Sequence, residues 1–271
     1  MPNEKKTRSR LARARSSYTK GDLAAEAAAH TPEAIVQSAE EHGGGGSQYI
    51  GDMVLGGLDG IVTTFAVVSG VAGADLGSSV LLILGLANLL ADGFSMATGS
   101  FLSLKSEREY YQKERSREKW EVDHFPEGEK QELLVIYQRQ GYSAADAKRL
   151  VDIKSRDPER WVDAMMVDEL GMLPGDRTPL RSALATFSAF VLAGSIPLLV
   201  YLLGLVAPIP VQPRFYISLA MSGVALFLLG AAKVVVTHRN PLRSGLEMLL
   251  VGGLAAGVAY LIGILLKGIG G

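Results

Sequence analysis

The chain has 271 residues, 48% hydrophobic and 20% charged, with a net charge of −1 and no cysteine. A mean hydropathy of +0.21 beside that many charges means that apolar and charged residues occupy different segments: a basic start, an acidic middle and apolar flanks. A basic nucleic-acid binder, a disulfide framework, a zinc–thiolate site and a cysteine nucleophile are excluded.

Residues 1–20 hold Lys5, Lys6, Arg8, Arg10, Arg13, Arg15 and Lys20 with almost no apolar content. They read as a disordered basic arm without a cleavable signal peptide. Thr31-Pro32-Glu33 predicts a helix start, with threonine as cap and proline at the first helical position. The run Gly43-Gly44-Gly45-Gly46-Ser47 then reads as a flexible linker closing an N-terminal region, 1–47. Apolar runs follow at 53–74 and 79–104, inside a segment 48–104, and at 183–206, 215–236 and 246–266, inside 181–271. Each approaches or exceeds the ~20 residues that cross a bilayer as a helix. The alternative, buried core helices of a soluble protein, would require most of them to lack a polar face. The predicted fold is all-α: five transmembrane helices with a small helical domain, 105–180, inserted between the second and third spans. Basic residues in the arm, the insertion and 233–243 put these parts on the cytoplasmic side and the C-terminus outside.

Within the insertion, the second span is expected to continue as a charged helix to about Glu121 and to break near Phe125-Pro126. A helix over 127–140 should end at Gly141, Ser143 should cap another that runs to Lys154, and Asp157-Pro158 should start one that reaches Leu170. Glu118 and Glu121 are three apart, as are Glu129 and Glu132, so each pair shares a helix face. Met165 and Met166 lie four and three residues before Glu169. Carboxylates with thioethers would make a mixed hard and soft metal site. The plainer reading is that the acids solvate helix faces and the methionines fill a small core.

Ionisable residues at membrane depth are candidates for function. Asp52 and Asp59 are seven apart on one face of the first span, and Asn88, Asp92 and Met96 form a polar stripe down the second. At a rise of ~1.5 Å per residue, Asp59 and Met96 should meet at similar depth. Alternatively, Asp59 caps a helix break at Gly56-Gly57. Glu247, near Lys233 and Arg243, suits a snorkelling ion pair.

Gly56-Gly57-Leu58-Asp59-Gly60 with Ala66-Val67-Val68-Ser69-Gly70, Ser95-Met96 with Gly99, Arg181, and the glycines from Gly252 to Gly263 together resemble the vacuolar iron transporter family, over about residue 49 to the end. The resemblance implies a membrane metal path through Asp59 and Met96, with Asp52 nearer the cytoplasm. It further implies a cytoplasmic metal site of Glu118, Glu121, Glu129, Glu132, Met165, Met166 and Glu169. Family members work as dimers with the path between two first helices, and they exchange divalent metal for protons. Two positions depart from the family: Asn88 and Ser100 stand where it often has glutamates, and Asp92, one turn past Asn88, is the candidate replacement for proton coupling.

The expectation is therefore a divalent-metal transporter that moves Fe²⁺, or Mn²⁺, out of the cytosol by proton exchange. Its partners are metal ions, protons, the lipid bilayer and a second copy; it has no prosthetic group, no nucleic acid and no reaction chemistry. The same residues leave room for a membrane-anchored metal-binding or sensing protein that transports nothing. A ferritin-like oxidase ranks low, because His124 has no glutamate three residues before it. A bacterial inner membrane is favoured over a vacuolar one.

Overall fold

Side-chain caps and prolines mark most helix starts in the computed structural model, which describes residues 16–37, 47–207, 209–232 and 240–267. In the N-terminal unit, residues 1–50, residues 16–20 are helical where the sequence predicts disorder. Helix α1 (Leu23–Ala29) follows, its Asp22 side chain accepting from the Ala25 N–H at 3.0 Å. Helix α2 (Pro32–Gln37) is capped by Thr31 Oγ1, 3.3 Å from the Ala34 N–H. The rest of the basic arm and Gly43–Gly46 of the linker lie outside the described residues.

The second unit holds five helices long and apolar enough to cross a bilayer, and the described residues contain no strand. They are α3 (Ile50–Gly73), the apolar half of α4 (Ser78–His124), a broken span formed by α8 (Pro179–Gly194) and α9 (Leu199–Val206), α10 (Val211–Ala232) and α11 (Pro241–Leu266). The break at Ser195-Ile196-Pro197 is absent from the sequence prediction. Pro197 has no N–H to donate, so the chain makes one 3₁₀ turn there. Its carbonyl then accepts from Ser218 Oγ at 2.7 Å, which ties the break to α10.

Bare backbone sets how closely these helices approach. A Cβ on Gly60 would lie 2.4 Å from the Phe190 carbonyl oxygen, and one on Gly263 would lie 2.2 Å from that of Gly70. Only glycine permits such contact, and in lipid, where helices gain no hydrophobic drive toward one another, close packing of this kind helps to hold them together. Around these crossings Val68, Leu81, Leu89, Phe190 and Leu198 form a buried cluster, with Met96 packed against its edge.

Helix α4 runs for 47 residues and leaves the apolar region as a charged rod. Against that rod pack α5 (Pro126–Arg139) and α7 (Pro158–Ala164), which ends in a π turn, Met165–Glu169, while α6 (Ala144–Lys154) packs on α5 and α7. Gly141 adopts φ +99°, Ser143 Oγ accepts from the Asp146 N–H, and Asp157 accepts from Glu159 and Arg160, as the sequence predicts. Their core is Val122, Leu133, Tyr137, Ala147, Val151, Trp161, Val162, Met165 and Met166. Tyr137 donates to Asp168 at 2.7 Å, and Lys154 meets the same carboxylate at 3.0 Å.

Candidate metal centre

Carboxylates from three elements converge beside this core. Helix α4 supplies Glu118 and Glu121, α5 supplies Glu129 and Glu132, and the π turn supplies Glu169. They form two overlapping triads, Glu118–Glu121–Glu129 and Glu129–Glu132–Glu169, each with one oxygen per residue within 4.8 Å of the others. Glu129 belongs to both. The i, i+3 spacing places each pair on one helix face, as predicted; only packing decides that the two faces look at each other.

Burial sets the electrostatics. Glu118 is 1% exposed and Glu129 5% exposed, and neither oxygen of Glu118 nor Oε2 of Glu129 has a hydrogen-bond partner. Burial pushes both carboxyls up to about 7; Glu169 adds to the rise at Glu118 while Arg117 opposes it, and Glu132 adds to the rise at Glu129. Glu169 is also raised, first by its surroundings and then by Glu132. Two buried acids without donors, facing three more, form a site that favours a cation or a proton.

Arg117 is the group that sequence reasoning missed. Its nitrogens lie 3.0 Å from Glu114, 2.5 Å from Glu118 and 2.7 Å from Glu121. The Glu118 contact is an ion pair without hydrogen-bond alignment, which is why that carboxylate is charge-paired yet lacks a donor. The spacing Glu114, Arg117, Glu121 along one helix was the available signal.

Met165 and Met166 are both 0% exposed and belong to the hydrophobic core with Leu133 and Trp161. Glu118 is buried to almost the same degree, so burial assigns the thioethers neither to packing nor to the metal. The π turn that carries them closes with the Leu170 N–H on the Met165 carbonyl (3.2 Å) and the Met172 N–H on the Met166 carbonyl (2.8 Å), with Gly171 at φ +65°. It leaves Glu169 on the outside, facing Glu132.

In the membrane helices, the structure distributes the predicted path residues unevenly. Asp59 is half-buried on an unbroken α3, so it caps no helix break, and among the described residues its carboxylate makes no hydrogen bond or ion pair. Asp92 on α4 lies within electrostatic reach of it. Met96 is half-buried against the core cluster, and the Asn88 side-chain nitrogen is buried without a partner. Asp52, in the first turn of α3, is not open: Arg177 binds it at 2.6 Å and Ser182 donates a short hydrogen bond to it. Ser100 joins the same network through Ser182 at 3.1 Å. Glu247 pairs with Arg243 at 3.4 Å on an exposed face, as expected; Lys233 lies outside the described residues.

The VIT family model matches residues 50–264 of this chain. A protein of Toxoplasma gondii (strain ATCC 50861 / VEG) named Vacuolar iron transporter is 40% identical over 268 residues, covering 95% of this chain and 88% of its own length. Plasmodium berghei (strain Anka) has a relative of the same name at 31% identity, covering 94% of this chain and 95% of its own. Vacuolar iron transporter 1 of Arabidopsis thaliana is 34% identical, covering 79% and 84%. Those names speak of vacuoles, so the preference for a bacterial inner membrane finds no support among these relatives.

Proposed function

The chain belongs to the VIT family, and from that premise we propose that it moves divalent transition metal, Fe²⁺ first and Mn²⁺ second, out of the cytosol in exchange for protons. The observation that carries this reading is a continuity: one unbroken helix, Ser78–His124, bears Asp92 and Met96 in its apolar half and Glu118 and Glu121 in its charged half. Metal would load at the carboxylate triads on the cytoplasmic side, pass Asp52, and cross by way of Asp59 and Met96. Hard carboxylates at both stations suit a divalent ion that keeps part of its water shell. Asp92, within electrostatic reach of Asp59, is the proposed proton carrier. Asp59 is only half-buried in a single copy, which supports a dimer whose second α3 completes the path. Metal is cargo here, and no step is chemical conversion.

Proteoliposomes loaded with a metal-sensitive and a pH-sensitive dye test this. Fe²⁺ uptake should rise when the lumen is acidified, and the lumen should become more alkaline as metal enters. Asp59→Ala should abolish uptake while the protein stays folded, because an intramembrane carboxylate is retained against a cost of several kcal/mol. Wild-type uptake by that variant would end the proposed path. Metal binding without any flux would make the chain an anchored metal binder instead.

A further inference from the structure

Arg117 and a metal ion would compete for the charge of the same carboxylates. Arg117 already touches Glu118 Oε1 at 2.5 Å and Glu121 Oε2 at 2.7 Å, two of the three carboxylates in the inner triad. A divalent ion held by these carboxylates would sit ~2.0–2.6 Å from its ligand oxygens. The guanidinium would then lie a few ångströms from a doubly charged ion, with nothing between them but the shared carboxylates. Once ionised, the site needs a counter-charge, since Glu118 and Glu129 are at least nine-tenths buried and have oxygens without a hydrogen-bond donor. Leaving a buried charge without its partner is expensive, so above the titration range of these carboxyls one cation leaves as another enters.

Arg117 has the freedom to be exchanged. Its side chain is 44% exposed, at the rim, whereas its partner Glu118 is 1% exposed. Its neighbour Arg115 offers a contrast on the same helix. Arg115 turns away from the triads, binding Glu159 at 2.8 Å and also Asp163, and touches none of the five candidate ligands.

We propose that Arg117 is a tethered counter-cation that fills the carboxylate site when metal is absent, swings to solvent when metal loads, and returns to help expel it. Arg117 thereby sets the metal concentration at which the site fills. The inference rests on the reading of Glu118, Glu121 and Glu129 as metal ligands. An arginine that merely braces the α4 surface through i+3 and i+4 pairs would act differently: its loss would loosen the ligands and weaken metal binding.

The sign of the affinity change therefore decides, read by calorimetric titration of the detergent-solubilised full chain with Co²⁺ alone. Arg117→Gln should tighten binding on the order of tenfold, as expected for removing a unit charge beside a divalent ion at intermediate dielectric, and should slow metal release to a chelator. Arg117→Lys keeps the charge but loses the fork, so its affinity should fall between those two. Arg115→Gln removes the same charge two residues away and should leave affinity unchanged. Unchanged or weaker binding in Arg117→Gln overturns the inference, as does equal tightening in both glutamine variants, which would mark a diffuse field instead of occupancy. Glu118→Gln separates the two readings. If it and the wild type bind Co²⁺ identically, the metal site itself falls, and Arg117 with it; if it loses binding while Arg117→Gln matches wild type, only the role of Arg117 falls.

Discussion

Glu118 and Glu129 give the helices packed beside the charged half of α4 a pH dependence. Their ordinary value is 4.5 and the fold raises both to about 7, so between these limits the folded chain holds more protons than the unfolded one. A carboxyl raised in this way stabilises the fold fully below the unfolded value, and that contribution is lost as pH rises through the folded value. Metal-free protein should accordingly melt at a higher temperature at about pH 5.5 than at about pH 8, and Glu118→Gln should shrink the difference; circular-dichroism melts in detergent measure both. Metal affinity runs the other way, because the ligands must be ionised to bind, so Co²⁺ should bind more tightly at the higher pH. A melting temperature that rises with pH in the metal-free wild type, and does so less in Glu118→Gln, would contradict the assignment.

Helix contacts made through backbone decide where Asp59 sits. Gly60 follows it directly and meets the Phe190 carbonyl of α8 so closely that an added Cβ would stand 2.4 Å from that oxygen. Backbone cannot yield as a side-chain tip can, so Gly60→Ala should cost roughly 1–3 kcal/mol or more and lower the yield of folded protein in size-exclusion chromatography. Gly99, from the motif Ser95-Met96-x-x-Gly99, makes the contrast: a Cβ there meets nothing within 4 Å in a single copy. Gly99→Ala should leave the monomer's fold intact, and any loss it causes would have to arise where copies meet. The π turn is a second device at this scale. A plain α-helix to Leu170 was the sequence expectation, whereas the wider turn packs Met165 and Met166 into the core and leaves Glu169 free to face Glu132. Met165→Leu fills the core equally and removes only the thioether, so it should weaken Co²⁺ binding more than Mg²⁺ binding, and equal losses would make Met165 a packing group alone.

At the scale of the whole molecule, orientation is the property that basic flanks imply and that chemistry can test. The chain contains no cysteine, so single introduced thiols report without background. Gly128 and Gly77 both tolerate a Cβ, with nothing within 4 Å of either. Gly128→Cys should react with a membrane-impermeant thiol reagent from the cytoplasmic side, and Gly77→Cys only from the opposite side. Reaction of both from one side would break the five-span topology. Besides the unbroken α4, Arg177 in the segment leading into α8 ties the inserted helices to the spans by clamping Asp52 at the start of α3. That clamp holds one station of the proposed path, Asp52, from a residue 125 positions away in sequence.

What the sequence determined by itself is what short-range physics controls. Hydropathy over about 20 residues located all five spans, and Ser143, Asp157-Pro158 and Gly141 located the helix ends, because caps and φ preferences act within a turn. Helical spacing put each glutamate pair on one face. The tertiary structure decided everything that depends on which faces meet: the sharing of Glu129 between two triads, the nearness of Asp92 to Asp59, and the capture of Asp52 by Arg177 and Ser182. It also decided the break at Pro197, whose carbonyl is satisfied by a serine 21 residues away. Contacts of that kind follow from how helices cross, and the crossing is set by glycines meeting backbone on other elements, which no local pattern encodes.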